Sequence, residues 1–169
     1  MGYVHDTAMV QFISPQQMNF NAGTWTLTMA SNVISQVHTA GADTPGVFIP
    51  ITLPGNSASF KGSYLTSIDV IYSVGTADLT DFATVELEKQ ALPATGSAQT
   101  ASTPAITCDT GHNTAALRKV QGNHTLTVTL TTPVWIGAGD AYTLYLYISA
   151  AATSVLKIFG ARAYFTKRL

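Results

Sequence analysis

The residues best suited to chemistry are grouped in one short stretch of the sequence. Cys108, Asp109 and His112 lie within five positions, and His124 follows further along the chain. A set of His, Cys and Asp side chains can ligate a metal, and a Cys beside a His can form a nucleophilic pair. The order Asp-Thr-Gly-His is also typical of a turn, in which Asp109 accepts hydrogen bonds from its own loop or caps a following helical turn. We expect this structural role and assign no catalytic, metal-binding or cofactor-binding residue, with a metal-dependent enzyme as the alternative.

Paired carboxylates are a second possible chemistry. Glu86 and Glu88 share one face of a predicted strand, roughly 6.6 Å apart from the usual rise per residue, which could suit glycoside hydrolysis. Two acids beside Lys89 are also typical of a solvated outer face. The chain contains no Gly-x-Ser-x-Gly elbow, Gly-rich phosphate loop or His-Glu-x-x-His motif. We therefore expect that the protein is not an enzyme.

Two tyrosines indicate binding rather than catalysis. Tyr145 and Tyr147 alternate with Leu144 and Leu146, so burial of the leucines turns both tyrosines outward, about 6.8 Å apart. Exposed paired tyrosines favour a protein interface, since tyrosine buries a large area at a small entropy loss. Packing within the chain and stacking on a sugar ring are the two other uses that stay open.

These side chains need strands to position them. Hydrophobic residues recur at alternate positions through most of the chain, and Gly, Pro, Asn and Asp separate the runs. One helical turn is predicted at 113–119, capped by Thr110 or Asn113, and in the 64–74 run the even-numbered residues are predicted to face the core. The predicted strands are 25–29, 33–38, 47–53, 64–74, 83–88, 125–131, 143–149, 155–159 and 162–167. This spacing favours an all-β fold, a β-sandwich of the jelly-roll type, with immunoglobulin-like or open-barrel arrangements as alternatives.

Two segments fall outside these strands. Residues 1–22 show no sustained period and are predicted to form an extended N-terminal arm, with residues 23–169 as a single β-sandwich domain. Residues 93–104 carry almost only small and polar side chains, which predicts a surface loop. The basic residues near the C-terminus predict either a docking edge or the solvated protection of an edge strand; they are Lys157, Arg162, Lys167 and Arg168.

The composition excludes several classes of partner. Charged residues are 10% of the chain and the formal net charge is −1, so the basic surface that nucleic acid or anionic lipid requires is missing. No stretch approaches 18 unbroken apolar residues, and the first residues lack the pattern of a secretory signal. A single cysteine excludes an internal disulfide framework. We expect neither a nucleic-acid nor a membrane partner.

Several stretches carry a resemblance to a known class of proteins. They are 1–9 (MGYVHDTAM), 11–13 (QFI), 23–26 (GTWT), 108–116 (CDTGHNTAA) and 130–136 (LTTPVWI). Together they resemble small jelly-roll structural proteins of tailed bacteriophages, of the cement or decoration type. The resemblance implies a homotrimer in the virion, assembled in the host cytoplasm, that binds the major capsid protein and reinforces the shell through protein–protein contacts.

The expected interfaces follow from this resemblance and from the placement of the aromatic residues. The N-terminal segment, with Tyr3, Phe12 and Phe20, is expected to bind the capsid, and Tyr145 and Tyr147 are expected to form the contact between copies. The alternative from a different class is a carbohydrate- or receptor-binding jelly-roll module of a phage fibre or tail, because such folds often bind sugars on aromatic side chains, here Tyr145 or Trp135.

Overall fold

Strands make up most of the described chain. The computed structural model describes residues 5–53, 62–92, 96–137 and 139–168. The strands within these residues are β1 (Asp6–Ile13), β2 (Asn19–Phe20), β3 (Trp25–Ala30), β4 (Val33–His38), β5 (Gly46–Ile51), β6 (Ser63–Gly75), β7 (Asp81–Ala91), β8 (Thr100–Ser102), β9 (Ile106–Cys108), β10 (Gly122–Ile136), β11 (Asp140–Ser149) and β12 (Val155–Arg168). A 3-10 turn at Pro15–Gln17 and the helix α1 at Ala115–Arg118 are short. No helix in these ranges has the length and apolar character to cross a membrane.

The strands form two antiparallel sheets. The larger sheet has the order β3-β4-β12-β6-β10-β9, with β1 also paired to β12, and the smaller sheet has the order β2-β5-β11-β7-β8. Both sheets contribute to one apolar core, the larger through residues such as Ile68 and Val70, the smaller through Leu87, Leu144 and Leu146. The predicted all-β sandwich of the jelly-roll type is confirmed.

The predicted alternation in the 64–74 run holds from Ile68 onward and fails before it. At Thr66, β6 has one residue more than its neighbour β12, which is a β-bulge. Because a bulge reverses which face each side chain occupies, Leu65 is buried while Tyr64 and Thr66 are only half-buried. The assignment of Tyr64 and Thr66 to the core was therefore wrong.

The N-terminal segment is extended, as predicted, but from Asp6 onward it is paired within the sandwich. β1 runs antiparallel to the second half of β12, and β2 joins the edge of the smaller sheet. Ile13, Pro15 and Met18 are buried. The backbone of β12 needs a hydrogen-bonding neighbour along this half, and β1 provides it. The sandwich therefore includes residues that the prediction placed in a separate arm.

Two short segments differ from their predictions. Thr114, rather than Thr110 or Asn113, caps α1, since its hydroxyl oxygen accepts the amide of Leu117 at 3.3 Å. The 93–104 segment is exposed over 96–103 as expected, but it contains β8, which pairs with β7 at the sheet edge. Residues 93–95 lie outside the described residues.

Gly160 is the point at which β12 changes neighbour. β4 pairs with Leu156–Ile158 and β1 pairs with 161–168, while β6 follows the other side of the strand. Gly160 has a φ of +142°, and a Cβ added there would lie 2.6 Å from the ring of Phe12 and 2.9 Å from the carbonyl oxygen of Ile13. Both the conformation and the space require glycine.

We expect Gly160→Ala to lower the free energy of unfolding by about 3 kcal/mol, since it adds backbone strain and a steric clash. Urea unfolding followed by circular dichroism measures this loss. Gly75→Ala is the matched control, because the nearest heavy atom to a Cβ at Gly75 is 3.8 Å away, and we expect a change below about 1 kcal/mol. Equal losses in the two variants would show that β12 does not depend on Gly160.

Candidate interaction surfaces

Asp109 organises the loop between β9 and α1. Its carboxylate accepts hydrogen bonds from the amides of Gly111 at 2.9 Å and Thr127 at 2.8 Å, and from Nδ1 of His112 at 2.9 Å. Partial burial raises the pKa of the Asp109 carboxyl, but the hydrogen bonds from Thr127, His112 and Gly111 lower it by more, so the pKa lies below its ordinary value. Asp109 thus has the structural role that the turn sequence predicted.

His112 and His124 form a hydrogen-bonded pair beside Asp109. Nε2 of His112 lies 3.2 Å from Nδ1 of His124, and Nε2 of His124 lies 2.9 Å from the carbonyl oxygen of Val120, to which it donates. The carboxylate and the carbonyl can only accept, so Nδ1 of His112 donates to Asp109 and Nε2 of His124 donates to Val120. The ring of Tyr72 stacks on His124 with centroids 4.7 Å apart. All four ring nitrogens are thereby used within the chain.

The remaining members of the cluster also act as anchors. The buried guanidinium of Arg118 donates to the carbonyl oxygens of Phe82, His112 and Ala83. Burial raises the pKa of the Cys108 thiol, which disfavours the thiolate that a nucleophile or metal ligand requires. Within 5–53, 62–92, 96–137 and 139–168, no group of three or more His, Cys, Asp or Glu side chains could hold a metal ion. The geometry is that of a loop fastened to the sheet.

We expect Asp109→Asn to lower the free energy of unfolding at neutral pH by about 1–3 kcal/mol, because it weakens three hydrogen bonds at once. The folded-state pKa of Asp109 is lowered, so its contribution is present above the ordinary carboxyl pKa and is lost as pH falls through the lowered value. The difference between wild type and variant should therefore shrink in acid, as measured by urea unfolding at several pH values. Asp78→Asn is the control, since Asp78 accepts one amide, from Gln121. A difference that grew in acid would contradict this account.

Tyr145 and Tyr147 lie on the outer side of the smaller sheet, above the buried Leu144 and Leu146, as their alternation predicted. Tyr147 is 38% exposed, and Tyr145 is half-buried. The ring of Tyr145 packs against Phe48 of β5, with centroids 5.0 Å apart. Sequence reasoning missed Phe48, because only the pairing of β5 with β11 brings it beside Tyr145.

Two carboxylates share this outer side with the tyrosines. The register of β7 on β11 places Glu86 opposite Tyr145 and Glu88 opposite Thr143. Glu86 is exposed, whereas Glu88 accepts a hydrogen bond from the hydroxyl of Thr103 at 3.3 Å. We call Phe48, Tyr145, Tyr147, Glu86 and Glu88 the aromatic face. It combines flat apolar rings with charged acceptors.

The N-terminal candidates have different roles. Phe12 lies on β1 and is 58% exposed, so it is available for contact. Phe20 is half-buried and stacks on Trp25 with centroids 4.0 Å apart, so it packs within the chain. Tyr3 lies outside the described residues. Phe12 and Tyr145 belong to different sheets, and the structure does not bring the two predicted interfaces together.

The C-terminal basic residues do not protect an edge, because β12 has neighbours on both sides. Arg162 donates to Asp69 on β6 at 2.8 Å. The same buried carboxylate accepts the hydroxyl hydrogens of Tyr164 at 2.9 Å and of Thr127 on β10 at 2.8 Å. This cluster joins three adjacent strands. Arg162 thus stabilises the larger sheet through its contact with Asp69. The prediction that the basic residues protect an edge strand was wrong.

Among the described residues, the most exposed large apolar side chain, Met29, lies on the hairpin of β3 and β4, which the sequence analysis did not identify as a contact surface. Leu27, Met29, Val33 and Ile34 are 45%, 72%, 49% and 39% exposed. Met29 lies opposite Ile34, and Leu27 follows two residues along, so these three share one face. β4 pairs with β12 only at 36–38. We call β3, its turn and β4 the apolar hairpin.

The apolar hairpin lies within a long segment without formal charge. Residues 7–42 contain no Asp, Glu, Lys or Arg. Among the described residues, seven of the twelve exposed large hydrophobic side chains lie in this segment, which contains β2 to β4 and all of β1 except Asp6. Exposed apolar surface with few charges is typical of protein interaction sites. The sequence shows that this segment has no charged side chain, but it does not show that the apolar side chains of the segment are exposed.

Comparisons with known proteins found matches among solved structures, two of which are described here. No protein-family model matches the sequence, and no curated protein matches it. One solved structure, described as "CBM4 structure and function", is 11% identical with a TM-score of 0.38, over 85% of this chain and 90% of that one. Another, TmCBM61 in complex with β-1,4-galactotriose, is 7% identical with a TM-score of 0.39, over 92% of this chain and 86% of that one. At these scores the likeness does not extend to function.

Proposed function

We propose that this protein is a structural subunit of a virus particle. It stabilises the shell through contacts made by residues 7–42, which we call the uncharged segment. The observation that carries the proposal is the concentration of exposed apolar side chains in residues 7–42. Such a surface favours a protein partner, because apolar area is removed from water on contact and no charge must be desolvated. The step from a protein partner to a virion is supported by the resemblance of the sequence to phage cement proteins.

The mechanism needs no chemical step. β1 presents Phe12 from within the larger sheet, so little conformational entropy is lost when that side chain meets a partner. A modest contact repeated over a shell stabilises the whole by avidity. The major capsid protein as the partner and the homotrimer stay predictions from the resemblance.

Point substitutions test the proposal better than removal of the N-terminal segment, because β1 and β2 are paired in the sheets. We expect Phe12→Lys to reduce incorporation into density-gradient-purified particles at least tenfold, since it places a charge at an apolar contact. Quantitative mass spectrometry of the particles against their major coat protein measures this. Circular dichroism verifies that the variant is folded.

Leu117→Lys provides the matched control, because Leu117 is 42% exposed on α1, outside the uncharged segment. This variant should enter particles as wild type does. Wild-type chain that remains in the soluble fractions of the gradient would overturn the proposal, and so would equal losses in both variants.

A second candidate function is carbohydrate binding on the aromatic face. The observation that favours it is the placement of Tyr145 and Tyr147 beside Glu86, because aromatic rings can stack on sugar rings while carboxylates accept hydrogen bonds from sugar hydroxyls. This surface is on the smaller sheet, so the two candidate functions can be separated by mutation.

If the second candidate is right, Tyr147→Ala should weaken binding to its glycan at least tenfold on a glycan array, because it removes an exposed ring. Trp135→Ala is the control, since Trp135 is 40% exposed on β10 of the other sheet. Absence of any reproducible glycan signal for wild type would remove this candidate.

A further inference from the structure

We propose that the outer edge of β3 pairs with the β3 edge of a second copy of this chain, antiparallel and across a two-fold axis. The inference rests on the proposed function in one respect, which is that the uncharged segment makes protein contacts. It adds a second copy of the chain as the partner and a two-fold dimer as the mode of contact, in place of the homotrimer that the resemblance implies. The larger sheet would then continue from one copy into the next.

The first observation concerns the neighbours of β3 and the hydrogen-bonding groups along its outer edge. Within the described ranges, β3 has a single neighbour, β4, and stands last in the order of the larger sheet. Alternate backbone N–H and C=O groups of such a strand point away from its neighbour and can pair with another strand. Sheet edges are commonly blocked by a charged side chain, a proline or a bulge. β3 (TWTLTMA with the preceding Thr24) contains no charge or proline, and its register on β4 is unbroken.

The second step is the match of β3 with itself. An antiparallel pairing that sets Thr28 opposite its counterpart also sets Leu27 opposite Met29 and Thr26 opposite Ala30. Residues of one parity then stay on one face, so the apolar side chains of both copies lie together while the threonines lie on the other side. Cross-strand pairs of this kind stabilise a sheet.

The third step is charge. Since residues 7–42 contain no formal charge, two copies can meet along this edge without repulsion between like charges. Leu27, Met29 and Ile34 of one copy would join the same three residues of the other in one apolar strip around the axis. An interface core with apolar side chains and few charges is typical of homodimers. In a two-fold contact both copies use the same surface, so the assembly is complete with two copies.

Analytical ultracentrifugation of the full chain over a concentration series tests the inference. For wild type we expect the mass to rise from 17.8 kDa to twice that value. Met29→Lys should raise the dimer dissociation constant at least tenfold, because it places two like charges near the axis. Leu117→Lys should dimerise as wild type does. A wild type that stays monomeric, a mass of three chains, or equal effects of the two substitutions would overturn the inference.

Hydrogen exchange keeps the test decisive if a variant folds poorly. In wild type, amides of β3 should become slower to exchange as concentration rises, whereas those of β8, an edge strand of the smaller sheet, should not change. Concentration-independent exchange in β3 would overturn the inference. A dimer that is absent from purified particles would contradict the virion proposal alone, and a monomer that enters particles would contradict only the β3 pairing.

Discussion

The larger sheet depends on the hydrogen bonding of β12. This strand pairs with one neighbouring strand on one side and with two neighbouring strands, one after the other, on the opposite side. β6 follows it along nearly its whole length, while β4 and β1 divide the opposite side at Gly160. The division is possible because glycine permits the backbone conformation and leaves room for the ring of Phe12. It adds β1 to the sheet beside the second half of β12 and leaves β3 as an outer strand beside β4. The exposed surfaces of the protein follow from this arrangement.

Two surfaces of different chemistry result. The aromatic face combines rings with carboxylates on the smaller sheet, whereas the apolar hairpin lies on the larger sheet and has no formal charge. The cluster of Asp109, His112 and His124 belongs to neither surface, because its polar atoms are used to hold a loop. Protein contact and sugar contact would therefore use separate parts of the molecule.

The sequence predicted the strands where alternation was regular, as in the run around Leu144 and Leu146, because a half-buried strand needs apolar side chains at every second position. It failed at Thr66, since a bulge leaves no mark in hydrophobic alternation. It also separated residues 1–22 from the sandwich. β1 is exposed at most positions and satisfies backbone rather than side-chain requirements, so its hydrophobic period is weak.

By itself, the amino-acid sequence determined the all-β character, the outward direction of Tyr145 and Tyr147, and the turn role of Asp109, because each depends on neighbours close in the chain. The tertiary structure decided which residues meet across the sheets. Phe48 contacts Tyr145, Phe20 stacks on Trp25, and Leu27, Met29 and Ile34 of the apolar hairpin are exposed. These outcomes depend on strand order and register, which are set by backbone pairing between distant segments, and no local pattern of side chains encodes that pairing.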